Sequence, residues 1–235
     1  MKRNVLPQYL ELYPYYGRHG QDRIINKKIF RDLKKGTFVD IGAYDGVESS
    51  NTLFFEESLN WNGICIEPLQ NIYPKLQSNR TSRTFNCCAL DRYGTHSFQH
   101  IIPTRFAPSS SETRLSNVEK LSGLVEYLSA DHKQMAQKMI DKVGGKREYY
   151  EVESVPINDL LAELSSPIDL LSLDTEGSEF CILKAINFAR FPIKVIVVEV
   201  LFYDAIFVQF MQSKGYQLID KIGYDWVYQL QKKIA

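Results

Sequence analysis

Apolar positions along the chain follow two rhythms. Over residues 22–33 (DRIINKKIFRDL), Ile24, Ile25, Ile29, Phe30 and Leu33 recur at helical spacing. Short continuous apolar runs then alternate with helical patterns. The runs are TFVDIG (37–42), GICIEP (63–68), TFNCCAL (84–90), IDLLSLD (168–174) and IKVIVVEV (193–200). Helical patterns fall at about 50–59, around Ile72 and Leu76, and at 157–164 and 178–189. Unbroken apolar strands separated by helices predict a parallel sheet covered on both faces. The tail YQLIDKIGYDWVYQL (216–230) alternates about a glycine and predicts a closing pair of strands.

Residues 96–150 break this rhythm. They hold a Ser-rich stretch, APSSSETRLSN (107–117), and then a stripe of Leu124, Leu128, Met135, Met139 and Val143 that reads as an amphipathic helix. A connection this long is a functional lid or a disordered segment. The insertion 96–150 is therefore expected to form an acceptor lid. Neither a repeat nor a linker divides the chain, so 1–235 is expected to be a single domain.

Composition narrows the partners. The chain balances 28 basic against 28 acidic residues, which removes the electrostatic reason to expect DNA. No run reaches the length of a membrane span, and the N-terminus lacks the apolar core of a signal peptide. Cys65, Cys87, Cys88 and Cys181 lack C-x-x-C spacing and read as reduced core residues of a cytoplasmic protein.

The chemistry is expected where strands end, because ligands of open α/β sheets bind at that edge. The first strand ends Asp40-Ile41-Gly42-Ala43-Tyr44-Asp45-Gly46. Tyr44 stands where a dinucleotide fingerprint needs glycine, and the Lys of a P-loop is absent. An acid without a phosphate cradle suits a positively charged ligand, and S-adenosylmethionine fits, with its sulfonium, ammonium and ribose diol. Asp40, Gly42, Ala43, Tyr44, Gly46, Ser50 and Asn51 would border its methionine part. Glu67, followed by Pro68, closes the second strand and is placed to accept from vicinal ribose hydroxyls. Ala89, Leu90 and Asp91 close the third, where a carboxylate can take an adenine amino proton. Asp91 alone also reads as a solvated loop acid.

Three segments resemble a known family. FVDIGAYDGVESSNTLFFEESLNWNGICIEP (38–68), LDTEGSEFCILKAINF (173–188) and IKVIVVE (193–199) look like the FkbM methyltransferases. The most specific element is D-x-E-G-[AS]-E, here Asp174-Thr175-Glu176-Gly177-Ser178-Glu179. GQDRIIN (20–26) and LSGLVEY (121–127) resemble segments of bacterial members. The resemblance implies a class I, Rossmann-like methyltransferase: a seven-stranded, mostly parallel α/β sheet, helices on both faces, an antiparallel C-terminal strand. It implies methyl transfer from S-adenosylmethionine to oxygen, often of a sugar or glycan. It carries Asp40, Gly42 and Gly46 to the methionine part, Glu67 to the ribose and Asp174 to the methyl end. It also suggests that Gln21 and Asp22, within a helical flap over 1–35, fold over the cofactor. After Glu199 the chain has Val200 and Leu201 where many relatives have His or Asn.

A hydroxyl becomes nucleophilic when a base takes its proton. Asp174, ending a buried strand beside Glu176 and Glu179, is the expected base. Glu199 and His100 are further candidates. Glu176 also reads as a helix cap, Glu179 as a solvated residue, and His132 as lying on the wet side of its helix. Asp174, Glu176 and Glu199 could instead gather a divalent cation such as Mg²⁺; no metal ligand is assigned from spacing. Alternatives are a lipid, polyketide, peptide or RNA acceptor, or a binding module without turnover. Oligomeric state is left open.

Overall fold

The structure, a computed structural model, describes residues 14–104, 117–201 and 205–231. The Ser-rich stretch therefore lies outside the described residues except for Asn117, as does the start of the expected flap, residues 1–13.

The described residues form these strands, the expected apolar runs among them: β1 (Thr37–Ile41), β2 (Asn62–Ile66), β3 (Arg83–Phe85), β4 (Cys88–Leu90), β5 (Gly94–Pro103), β6 (Gly123–Leu124), β7 (Gly145–Pro156), β8 (Ile168–Leu173), β9 (Ile193–Glu199), β10 (Tyr216–Ile222) and β11 (Asp225–Leu230). Seven form a mixed sheet in the order β10-β11-β9-β8-β1-β2-β3. β3, β2, β1, β8 and β9 pair in parallel, and β11 runs antiparallel to both β9 and β10. The tail is the expected hairpin.

Side chains alternate between two cores, as the pleat requires. Val39, Ile41, Ile64, Ile66, Leu171, Leu173, Ile196 and Val198 face one cluster. There they meet α5 (Ile157–Leu161), α6 (Glu179–Ala185) and α7 (Ala205–Ser213) through Leu160, Ile182 and Met211. Phe38, Cys65, Leu170, Val195 and Val197 face the other, beneath α1 (Gln21–Ile25), the π-helical turn Asn26–Phe30 and α2 (Leu53–Leu59). An apolar run is thus continuous because both faces are covered.

Two readings need correction. TFNCCAL is not one strand. Arg83–Phe85 continues the main sheet beside β2, while Cys88–Leu90 leaves it and joins a second sheet of order β4-β7-β5-β6. The break falls at Asn86, whose side-chain amide donates to Glu67 O at 2.8 Å. Hydropathy does not register this break, because both halves are apolar. The insertion, moreover, is largely a long hairpin. β5 and β7 pair antiparallel from Gly94–Ser154 to Pro103–Gly145. The expected helix is present only from Ala130, as α4 (Ala130–Val143), capped by Ser129 Oγ accepting from the His132 N–H at 3.0 Å; Leu124 of the stripe lies in β6 and Leu128 precedes the cap.

One buried ion network ties α2 and α3 (Tyr73–Asn79) to β1. The Arg80 side chain is fully buried. Its Nε donates to Glu56 Oε2 at 2.7 Å and Nη2 to Thr52 Oγ1 at 3.0 Å, and Nη1 lies 3.7 Å from Asp40 Oδ2. Burial pushes the Glu56 carboxyl up, but Arg80 and the Thr81 hydroxyl and N–H outweigh it and hold Glu56 below its usual range. Removing one member of a buried ion network strands the others' charges. Arg80→Met is expected to cost about 3–5 kcal/mol in urea unfolding; a loss within about 1 kcal/mol contradicts this role.

Candidate active site

β1, β2 and β8 end side by side. At the end of β1 the backbone turns through Gly42, with φ +81°. A Cβ there would lie 1.7 Å from the carbonyl oxygen of Asp174, so only glycine permits β1 and β8 to close up at this point. The Asp174 N–H donates to Ile41 O at 3.0 Å, continuing the ladder one residue beyond β8. Gly46 serves another purpose than bordering a ligand. Its missing Cβ makes room for the Arg80 stem, 2.7 Å from where that Cβ would lie, and Gly46 is not among the cavity-lining residues.

A cavity of about 350 Å³ opens over these strand ends. It lies in the size range of small-molecule sites. Asp40, Gly42, Ala43 and Tyr44 line it from β1, and Ser50 and Asn51 from the loop before α2. Glu67, Pro68 and Ala89 line it from the ends of β2 and β4, and Asp174, Glu176 and Glu199 from the far side. Gln21 reaches it from α1 and donates through Nε2 to Asp225 Oδ2. Asp22 does not reach it: it is buried, accepting the N–H groups of Tyr16, Gly17 and Arg23.

Three further expected residues are absent from the lining. Leu90 points into an apolar cluster with Phe98 and Leu124. Asp91 is exposed, 46 % by side chain, beside Arg92. Both follow from β4 having left the main sheet. His100 is buried within β5, its Nε2 3.0 Å from Glu119 Oε1.

Glu67 is buried, and each of its oxygens already accepts one N–H: Oε2 from Tyr44 at 2.8 Å, Oε1 from Leu69 at 2.8 Å. Each oxygen retains a lone pair for a ligand donor. Tyr44 presents its N–H from a left-handed conformation, φ 50°. Burial, against those two hydrogen bonds, pushes the Glu67 carboxyl up to about 7. Asp40 is buried between Thr52 Oγ1, which donates at 2.5 Å, and Arg80; burial raises its pKa and Arg80 opposes the rise.

Asp174 is exposed to the cavity yet surrounded by protein. Its carboxyl is pushed up to about 7 by desolvation, then by the charges of Asp225 and Glu179, with Lys120 opposing. Glu176 sits in the left-handed region, φ 60°, and is buried, contrary to the reading of it as a helix cap. Burial and then Asp174 raise its pKa, and the same two causes raise that of Glu199. Carboxyl oxygens of Asp174, Glu176 and Glu199 lie within 4.8 Å of one another. Glu179 is not solvated: its oxygens take the Thr175 N–H at 2.7 Å and the Gly177 N–H at 3.0 Å, which shapes the loop after β8.

Several lining residues escaped sequence reasoning. Lys120 lies 4.8 Å over the Tyr44 ring and 3.2 Å from Glu48, and Asp225 pairs in register with Glu199. Phe98, Leu124, Met135 and Met139 join the lining from the insertion. Only the amphipathic stripe signalled any of these.

The raised Glu67 pKa sets a pH dependence. Between 4.5, its ordinary value, and about 7 the folded protein keeps a proton that the unfolded chain has lost. Its contribution to stability therefore falls as pH rises through that window. Urea unfolding of ligand-free protein should show Glu67→Gln gaining on the wild type from pH 4.5 to 7; parallel pH profiles contradict the shift.

Comparison with known proteins adds the family. The Methyltransferase FkbM domain model matches residues 40–218. No curated protein matches the chain. Among solved structures, methyltransferase FkbM from Methylobacillus flagellatus KT is 14% identical with a TM-score of 0.46, over 84% of this chain and 44% of that one. Precorrin-6y C5,15-methyltransferase from Geobacter metallireducens GS-15 is 12% identical with a TM-score of 0.43, over 92% and 93%. The chain thus spans less than half of the first of these two proteins. The family match runs from Asp40 past Glu67, Asp174 and Glu199, and the chain belongs to the FkbM family of methyltransferase domains.

Proposed function

We propose that the protein is an S-adenosylmethionine-dependent O-methyltransferase acting on a hydroxyl of a sugar or glycosylated metabolite. One observation carries the reading: Asp40, Gly42, Glu67 and Asp174 line a single cavity at the carboxyl edge of adjacent parallel strands. The strand order, with β11 inserted antiparallel between β9 and β10, supports a class I, Rossmann-like methyltransferase fold.

The residues fit that cofactor. Glu67 offers two lone pairs to a diol, and the strand ends supply acids for an ammonium and a sulfonium with no phosphate cradle. When bound, S-adenosylmethionine supplies the methyl: the acceptor oxygen bonds its carbon while the C–S electron pair stays on sulfur. Asp174, its pKa near 7 and open to the cavity, takes the hydroxyl proton. Phe98, Lys120, Leu124, Met135 and Met139 support the insertion 96–150 as the acceptor wall. The acidic rim favours hydroxyl donors over phosphate and so disfavours RNA. An open carboxylate at the methyl end disfavours a binding module without turnover. Among the described residues no helix is long and apolar enough to cross a membrane.

Glu67→Ala should weaken S-adenosylhomocysteine by about 1–3 kcal/mol in calorimetry, the range for lost hydrogen bonds to a charged group. Binding of NAD in its place contradicts the cofactor. Asp174→Asn should lower turnover on a glycan panel more than cofactor affinity; equal losses remove Asp174 from proton transfer.

A further inference from the structure

Glu119 is a buried acid of the insertion that the proposed chemistry leaves without a task. Its carboxylate takes three donors. Oε2 accepts from the Tyr44 hydroxyl at 2.7 Å, and Oε1 from Asn71 Nδ2 at 2.9 Å. His100 Nε2 lies 3.0 Å from the same Oε1; an ionised carboxylate can only accept, so this nitrogen carries the hydrogen. Burial pushes the Glu119 carboxyl up, but the hydrogen bonds from His100, Tyr44 and Asn71 outweigh it and hold Glu119 below its usual range. His100 is itself fixed, because β5 pairs with β7 on both sides of it.

Which segments Glu119 holds is the telling point. Glu67 takes its two N–H groups from Tyr44 and Leu69. Glu119 holds the side chain of Tyr44 and, two residues past Leu69, that of Asn71. Two carboxylates therefore bracket the same two segments, Glu67 through main-chain N–H groups and Glu119 through side chains. Lys120, next in the chain, lies 4.8 Å over the Tyr44 ring and donates to Glu48 O at 3.1 Å and Ser49 Oγ at 3.3 Å, so it grips the loop after β1 as well. Tyr44 sits at φ 50°, a conformation that persists only where the surroundings over-determine it. Its hydroxyl and its ring are both held by the insertion.

We propose that Glu119, backed by His100, is the positioning residue of Glu67: it fixes Tyr44 and the 69–71 turn so that the Glu67 carboxylate meets a vicinal diol, and it thereby sets the preference for a ribose over a deoxyribose ligand. The ligand named here rests on the S-adenosylmethionine reading; the positioning rests on the hydrogen bonds alone. His100, read from the chain as a base, acquires a supporting task instead. The insertion then serves the cofactor half of the site as well as the acceptor half.

The test compares calorimetric affinity for S-adenosylhomocysteine and for its 2′-deoxy analogue in the wild type, Tyr44→Phe and Glu119→Ala. The wild type should prefer the ribose ligand by about 10–100-fold, the worth of a hydrogen bond to a charged group. Tyr44→Phe removes only the hydroxyl that Glu119 holds; it should cut this preference by about threefold or more and leave affinity for the deoxy analogue nearly unchanged. Glu119→Ala, which releases both segments, should cut it further. A merely structural role weakens both ligands alike, so an unchanged ratio in Tyr44→Phe, or a wild type without the preference, overturns the proposal. Ligand-free protein gives a second readout, carbon-13 NMR of the Glu67 carboxyl, assigned with Glu67→Gln. Its titration midpoint should lie higher in Tyr44→Phe than in the wild type, because a lost N–H donor disfavours the ionised form; an unchanged midpoint overturns the proposal whether or not ligand binds. A wild type that binds neither ligand removes the cofactor reading, and a raised midpoint then keeps the positioning of Glu67 standing. Melting curves check folding; should Tyr44→Phe not fold, the same readouts in Asn71→Ala, a change at an exposed residue, decide.

Discussion

Acidic side chains converge at the carboxyl edge of a buried parallel sheet, and the cost of holding their charge there governs the site. Asp40, Glu67, Asp174 and Glu199 each lie within one residue of the end of a strand whose interior residues are packed on both faces. Backbone geometry leaves these carboxyls little choice of direction, so each must find a donor, a cation or a proton. The answers differ by strand. Asp40 leans on Arg80 and Thr52, and Glu67 on two backbone N–H groups. Asp174, Glu176 and Glu199 crowd one another, and burial and their mutual repulsion raise their pKa values, with Lys120 opposing at Asp174 and Arg18 at Glu176. The gradient runs from a satisfied half, suited to a diol and an ammonium, to an unsatisfied half, suited to taking up a proton or a cation.

The same edge explains the unusual backbone. Gly42 lets β1 and β8 approach closely. Tyr44 and Glu176, both left-handed without being glycine, aim an N–H at Glu67 and a carboxyl at the rim. Strain of this kind persists where the surroundings over-determine it. Here those surroundings are the Arg80 network on one side and the loop held by Glu179 on the other.

Much of this was legible in the chain. A strand covered on both faces has to be apolar throughout, so β1, β8 and β9 stand out as runs, and an acid closing such a run is conspicuous. That logic located Asp40, Glu67, Asp174 and Glu199. It failed for Asp91, which has the same local pattern, because β4 leaves the main sheet at Asn86 and carries Asp91 outward. It missed Arg80, which follows a short helix and reads as surface charge until three distant segments bury it. His132, read as wet, is buried; a helical stripe shows which face is apolar, not that the Leu121 carbonyl waits beside the other. Lys120 and Asp225 reach the cavity only through tertiary folding, and no local spacing announces them.

The most direct test of the account is a crystal structure of the protein with S-adenosylhomocysteine. The account requires the ribose hydroxyls on the Glu67 carboxylate and the sulfur turned toward Asp174, with Gly42 against the ligand chain. Ligand bound elsewhere, or in this cavity with Glu67 and Asp174 both out of contact, would contradict it.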